Sequence, residues 1–290
     1  MQITEIFSAG AGNRRGGTAP APRLRPVCGK APGGHRRGMM GAMDTPPQTP
    51  AELLHALRTV EPTSPRLTWY GPGGERVEFS GRVLENWVAK TANYLVDELD
   101  AEAGTLVALE VPLHWRSLVW LLATWAVGAT AATADAPGVL PATGELPQIV
   151  ATVDPAATQQ QLAGMKPAPL VVAVALPALA MRWMGQLPPR TLDYCGEVRA
   201  HADVFFADGQ APPSDLAWRH GAHTVSYGQL LDQEPATDGP QRLLLQAAGG
   251  WTKVVGAALG TWAAGGSVVL LADGVAATEQ LRSSEKVTAG

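Results

Sequence analysis

Cysteine is almost missing from this sequence of 290 residues. Only Cys28 and Cys195 are present, which excludes a disulfide framework and fits a reducing cytoplasm. Lysine is nearly as scarce: Lys90, Lys166, Lys253 and Lys286 are the only ones after residue 43. Residues 1–43 hold seven of the 22 basic groups and one of the 26 acids, so 44–290 carry 15 basic and 25 acidic groups, a net of −10. A body of that sign presents no field to draw in phosphates, and no nucleic-acid partner is expected. The start has no continuous apolar stretch followed by a small-residue cleavage site, so a secretory signal is not expected. Long apolar runs are short of membrane quality too. Ser117 to Ala134 carries no charge, but its second half is Gly, Ala and Thr, which gain little from lipid. The run reads as a buried helix followed by a strand, and no membrane span is expected.

What is present is apolar, at 46% hydrophobic residues against 17% charged, enough to build a substantial core. The 32 glycines and 24 prolines predict many turns and short elements. Residues 1–42 are dense in Gly, Pro and Arg and have no periodicity beyond the first few positions. They are expected to be a disordered basic arm, with Met40 or Met43 as alternative starts of the protein. The ordered α/β body is then expected over 43–290.

Regular patterning begins at Leu67. Leu67–Tyr70 and Arg76–Phe79 flank a Gly-Pro-Gly-Gly turn and predict a hairpin. Ser80 is placed to cap a helix whose stripe is Leu84, Trp87, Val88, Leu95 and Leu99, with Gly104 as its terminator. Thr105–Leu109 predicts a buried strand, Trp115–Val127 a helix stopped by Gly128, and Ala129–Thr133 a further strand. Gln148–Val153 and Leu170–Leu176 predict two more buried strands. This alternation predicts a layered α/β fold of βαβ units. The run then recurs. Leu216-Ala-Trp218 answers Leu67-Thr-Trp69, Val225-Ser226 answers Phe79-Ser80, Leu243-Leu-Leu245 answers Val107-Ala-Leu109, and Thr261-Trp262 answers Thr124-Trp125. Two related units over 67–135 and 216–273 are therefore expected, with Asp273 answering Asp135.

The first unit resembles the opening of the adenylate-forming (AMP-binding) enzymes, which include acyl-CoA synthetases. The residues that carry the likeness are Phe79-Ser80 to Leu84, Gly104-Thr105-Leu106-Val107-Ala108-Leu109 and Trp125-Ala126-Val127-Gly128-Ala129. Thr105 stands where that family has Asp. The likeness runs from about Pro65 to the end, and the chain is identified as a member of a small uncharacterised synthetase-like group. In that family an Asp-Leu-Ala-Tyr strand leads into a Ser/Thr/Gly-rich loop, ending Pro-Lys-Gly, whose backbone amides cradle the ATP phosphates. Ser214–Trp218 resembles that strand, yet it runs straight into Arg219-His220-Gly221-Ala222-His223 without a glycine-rich loop. The Pro-Leu-Phe-His region is replaced by Gln246–Trp251. The last residues resemble a segment well before the adenine motif, the ribose aspartate and the lid lysine. No catalytic, cofactor-binding or metal residue is therefore assigned by resemblance, and no cofactor is expected.

Three constellations stand apart from the resemblance. Gly249-Gly250-Trp251-Thr252-Lys253 reads either as an ordinary strand-to-helix turn or as an anion cradle, although it lacks Walker spacing. His220 and His223, with His201, Asp203 and Asp208 upstream, read either as solvated surface or as metal ligands. Cys195 and His201 have the residue types of a nucleophile and base, with nothing in the sequence to place them together. The expected function is a binding or interaction protein on an adenylating scaffold, with another protein or an acyl or nucleotide small molecule as partner. Two alternatives remain: an AMP-forming ligase completed by a partner chain, and a small-molecule enzyme using the cleft between the two units.

Overall fold

The computed structural model describes residues 46–134, 136, 139–141, 144–178, 180–233 and 239–290. The expected arm 1–42, Cys28 and Asp135 lie outside the described residues. In chain order, α1 (Pro50–Thr59) precedes the hairpin of β1 (Pro65–Tyr70) and β2 (Arg76–Ser80). Next come α2 (Gly81–Asp97), β3 (Leu106–Glu110), α3 (Trp115–Val127) and β4 (Thr130–Thr133). The middle holds β5 (Ile149–Thr152), α4 (Pro155–Gln161), β6 (Leu170–Ala173), β7 (Thr191–Asp193) and α5 (Tyr194–Glu197). β8 (Leu216–His220), β9 (His223–Ser226), β10 (Arg242–Gln246), α6 (Trp251–Ala263), β11 (Ser267–Leu271) and α7 (Glu279–Ser284) complete the chain.

Local chemistry explains most boundaries. The Ser80 side chain accepts a hydrogen bond from Val83 N and starts α2. α2 stops at Asp97 rather than at Gly104, because Asp100 takes φ +52 and carries Leu99 off the helix and into the core. Nearly every face of α3 is buried, as expected of a helix that is apolar all round. With β4 it accounts for the uncharged stretch Ser117–Ala134. Among the described residues no helix is long and apolar enough to cross a membrane.

The strands form two sheets. One has seven strands in the order β7-β6-β5-β3-β4-β8-β9, all parallel except the edge strand β9. The other has four in the order β10-β11-β1-β2, with only β2 antiparallel. Each hairpin sits beside the strand-helix-strand unit of the other segment. β1–β2 joins β10–α6–β11, and β8–β9 joins β3–α3–β4. Leu67 pairs with Val268 across one join, and Trp218 with Ala131 across the other. Both hairpins carry a register irregularity just before those residues, at Pro65/Leu67 and at Leu216/Trp218. One apolar cluster runs from α1 through α2, α3 and the central strands to α6 and β11, with Trp115, Trp120 and Trp218 almost wholly buried. The matched tryptophans are core residues.

Candidate functional site

Residues from both segments meet at the tip of the β8–β9 hairpin. β8 and β9 are joined by Gly221 and Ala222 alone, with His220 paired to His223. Gly221 has φ +55, the sign that a two-residue hairpin turn with Gly in first place needs. This is the position where the resemblance leads one to look for a phosphate loop, and a two-residue turn occupies it. A turn of two residues offers at most two backbone amides, too few to wrap a triphosphate.

The hairpin tip faces the start of α6 across a cavity of about 520 Å³, lined by His220, His223, Gln233, Gly249–Gly250, Trp251, Thr252 and Lys253. His223 Nε2 lies 3.2 Å from Gln233 Oε1, and the His223 ring meets Trp218 edge-on. His220 Nδ1 lies 3.1 Å from Thr133 Oγ1, which itself accepts from Trp218 Nε1 at 3.0 Å. Gly250 precedes α6 with φ 81 and ψ 164, a conformation essentially confined to glycine. It supplies no side-chain cap, whereas each of the other α-helices has one. The amides of the first turn, the positive helix end and Lys253 at its third residue thus face one space with two imidazoles. Such a set can hold the oxygens of an anionic group.

The structure brings together two of the three constellations, Gly249–Lys253 and the His220/His223 pair. It separates the others. His201 Nδ1 lies 3.3 Å from Asp97 Oδ2, and its ring packs on Tyr94. Asp203 pairs with Lys90 at 2.6 Å. The Cys195 thiol is buried, donates to Ala175 O at 3.5 Å, and is pushed up by that burial, the wrong direction for a nucleophile. Among the described residues no group of three or more His, Cys, Asp or Glu converges as a metal site would require.

A further group of titratable residues, which no motif marks, lies around β3 and α3. Glu110, at the end of β3, is fully buried and accepts a hydrogen bond from Thr158. His114 caps α3 by accepting from Arg116 N at 3.1 Å, and burial with the nearby Arg116 charge lowers its pKa to about 3. It is therefore a neutral, structural imidazole.

The fold is that of the N-terminal part of the adenylate-forming synthetases. Brucella canis acyl-CoA synthetase matches with a TM-score of 0.61 at 18% identity, over 83% of this chain and 46% of its own. Streptomyces lividans acetoacetyl-CoA synthetase gives 0.59 at 18%, over 80% and 40%. The N-terminal domain of FACL13 from Mycobacterium tuberculosis gives 0.55 at 14%, over 82% and 61%. The chain thus spans roughly half the length of the synthetases it matches. No family model matches the sequence. A Mycobacterium tuberculosis protein described as a TIGR03089 family protein is 32% identical over 251 residues, covering 85% of this chain and 99% of that one. The chain belongs to the TIGR03089 family.

Proposed function

We propose that this protein binds an anionic small molecule on an adenylate-forming scaffold, built from two copies of one α/β unit, and forms no adenylate of its own. The observation that carries the reading is the two-residue turn Gly221–Ala222 between β8 and β9. Adenylate formation places charge on the α-phosphate and pyrophosphate, and its rate depends on donors fixed around them. Losing one such donor typically costs about 10²–10³ in rate; here a whole loop of donors gives way to a tight turn. The cytoplasm, where a buried thiol such as Cys195 stays reduced, is the compartment this reading assigns.

The cavity supports a second reading. His220, His223, Gln233 and Lys253 converge there, from a hairpin of the seven-stranded sheet and a helix of the four-stranded one, an arrangement a small-molecule enzyme could use. One screen separates the readings. Thermal melts of the full chain with ATP, AMP, CoA, acyl-CoAs and inorganic pyrophosphate register any ligand that binds only the native state, worth about 2.7 kcal/mol at a hundred times Kd. The binding reading expects a shift with at least one of these anions, abolished by Lys253→Ala, with the ligand recovered unchanged. Recovery of an altered ligand favours the enzyme reading. No shift with any of them contradicts both.

A further inference from the structure

Open sheet edges are normally kept short, charged or covered, because their unpaired N–H and C=O groups invite another strand. Among the described residues the two sheets present four edges, and three follow this rule. β7 has three residues, β2 carries the Arg76–Glu78 ion pair at 2.7 Å, and β9 is four residues long and bears His223, Thr224 and Ser226. β10 departs from it. After Arg242 this strand reads Leu-Leu-Leu-Gln, without charge or proline.

Part of that edge is already taken, and the occupant shows what the edge accepts. Ala289 pairs with Leu243 in parallel: Ala289 N donates to Arg242 O at 3.4 Å, and Leu244 N donates to Ala289 O at 2.9 Å. Arg282 Nη1 donates to Gly290 O at 2.7 Å and seats this segment. Backbone groups alternate in direction along a strand, so Arg242, Leu244 and Gln246 address the edge while Leu243 and Leu245 address β11. The ladder stops halfway. Leu244 O and Gln246 N, next in line, have no partner among the described residues. Beside them lies a groove of about 490 Å³, with Leu243 and Leu245 on one side and Val254 and Ala257 of α6 on the other. Leu243 and Ala257 are only half-buried, although both pack on the main apolar cluster. Paired residues of parallel strands share a face, so an added residue beside Leu245 sets its side chain in this groove.

We propose that the edge of β10 from Leu244 onward receives an extended segment of a partner protein, laid parallel to β10 in line with residues 288–290. An apolar residue of the partner sits beside Leu245. Its N–H donates to Leu244 O and its C=O accepts from Gln246 N, which fixes the register, while its side chain fills the groove. A second copy fits less well. Two β10 edges related by a two-fold axis run antiparallel, and each meets the segment already held at Arg242 and Leu244. The TIGR03089 relative is matched over 99% of its length, so it holds no further half of its own that would cover such an edge. The proposal rests on the sheet and not on the anion reading of the His220 cavity. Lys253 lines both spaces and is left unchanged in the test, so the two readings fail separately.

The test uses the full chain and a short fluorescein-labelled peptide of threonines around one central valine, with a glutamate at each end. Two further forms carry an N-methyl group, one on the valine and one on the threonine that follows it. The parent peptide should bind in fluorescence anisotropy and slow hydrogen exchange at the Gln246 amide about tenfold or more. N-methylation of the valine should weaken binding by about tenfold or more, the size of one lost hydrogen bond with its steric clash. N-methylation of the threonine, whose N–H points away from β10, should leave binding unchanged. Ala257→Phe, which fills the groove, should also weaken binding, and an unchanged melt shows that the variant is folded. The pair of N-methyl peptides decides the matter without that variant. Failure of the parent peptide to bind, equal loss from both methylated forms, a Gln246 amide already protected in the protein alone, or a dimer in sedimentation that the peptide dissolves would each overturn the proposal.

Discussion

Trp125 and Trp262 make the same hydrogen bond in opposite directions across the molecule. Trp125, on α3, donates its indole N–H to Ala217 O of β8 at 2.9 Å, and Trp262, on α6, donates to Arg66 O of β1 at 2.8 Å. Ala217 and Arg66 each lie one residue before the strand residue paired to the neighbouring parallel strand, Trp218 with Ala131 and Leu67 with Val268. Each helix thereby locks the hairpin of the other segment to its own sheet. Trp125→Phe and Trp262→Phe should each cost about 1–2 kcal/mol, since each strips the donor from a buried carbonyl while keeping most of the ring. The urea midpoint should fall with its m-value unchanged. A loss from one variant only would show that the two joins are unequal.

Glu285 sets the acid limit of the four-stranded sheet. It is nearly buried and binds Arg76, Arg242 and Tyr70, fastening α7 beneath β1, β2 and β10. Burial alone would raise its pKa, but the hydrogen bonds from these partners outweigh it and hold the value at about 2, below the ordinary 4.5. A depressed carboxyl contributes stability above its unfolded value and loses it as pH falls through the folded one. Stability should therefore decline from about pH 4.5 toward 2. Glu285→Gln should flatten that decline and cost about 2–3 kcal/mol at neutral pH. An unaltered acid limb in the variant would contradict this role.

Glu110 should act with the opposite sign. Burial raises its pKa, and Oε1 has no hydrogen-bond partner among the described residues. The native state then holds a proton that the unfolded chain releases, so this group favours folding most at low pH and progressively less as pH rises above the ordinary carboxylate range. Glu110→Gln should remove that loss, and its stability relative to wild type should improve as pH is raised from 4.5 to 7. Chemical denaturation at both pH values measures it. A pH-independent difference would show that Glu110 is ionised in the native protein.

Much of the fold was legible because its signals are local. The cap at Ser80, the boundaries of α3 and the hairpin strands β1 and β2 follow from short-range chemistry. What was not legible is long-range. Trp218 was matched in sequence to Trp69, but strand pairing sets it where Leu67 stands, two residues away, because a ladder is registered by its partners and not by shared residue types. The exchange of hairpins between sheets leaves no trace in periodicity. Likewise, α1 and α4 were not anticipated, although Thr49 and Asp154 cap them ahead of a first-turn proline. At the site, the glycine turn and the histidine pair were each visible as local patterns. Their meeting across one cavity was not, since they lie on strands and a helix of different sheets.

The most direct measurement is carboxylate-dependent exchange of radiolabelled pyrophosphate into ATP, run with the purified full chain, Mg²⁺ and panels of fatty, aryl and amino acids. With Gly221–Ala222 in place of a phosphate loop, the predicted result is exchange no greater than that of heat-killed protein. Exchange that appears only with a second protein would move the nucleotide site to that partner. Exchange clearly above the control with this chain alone would contradict the account, and would mean that other groups of the protein hold the triphosphate.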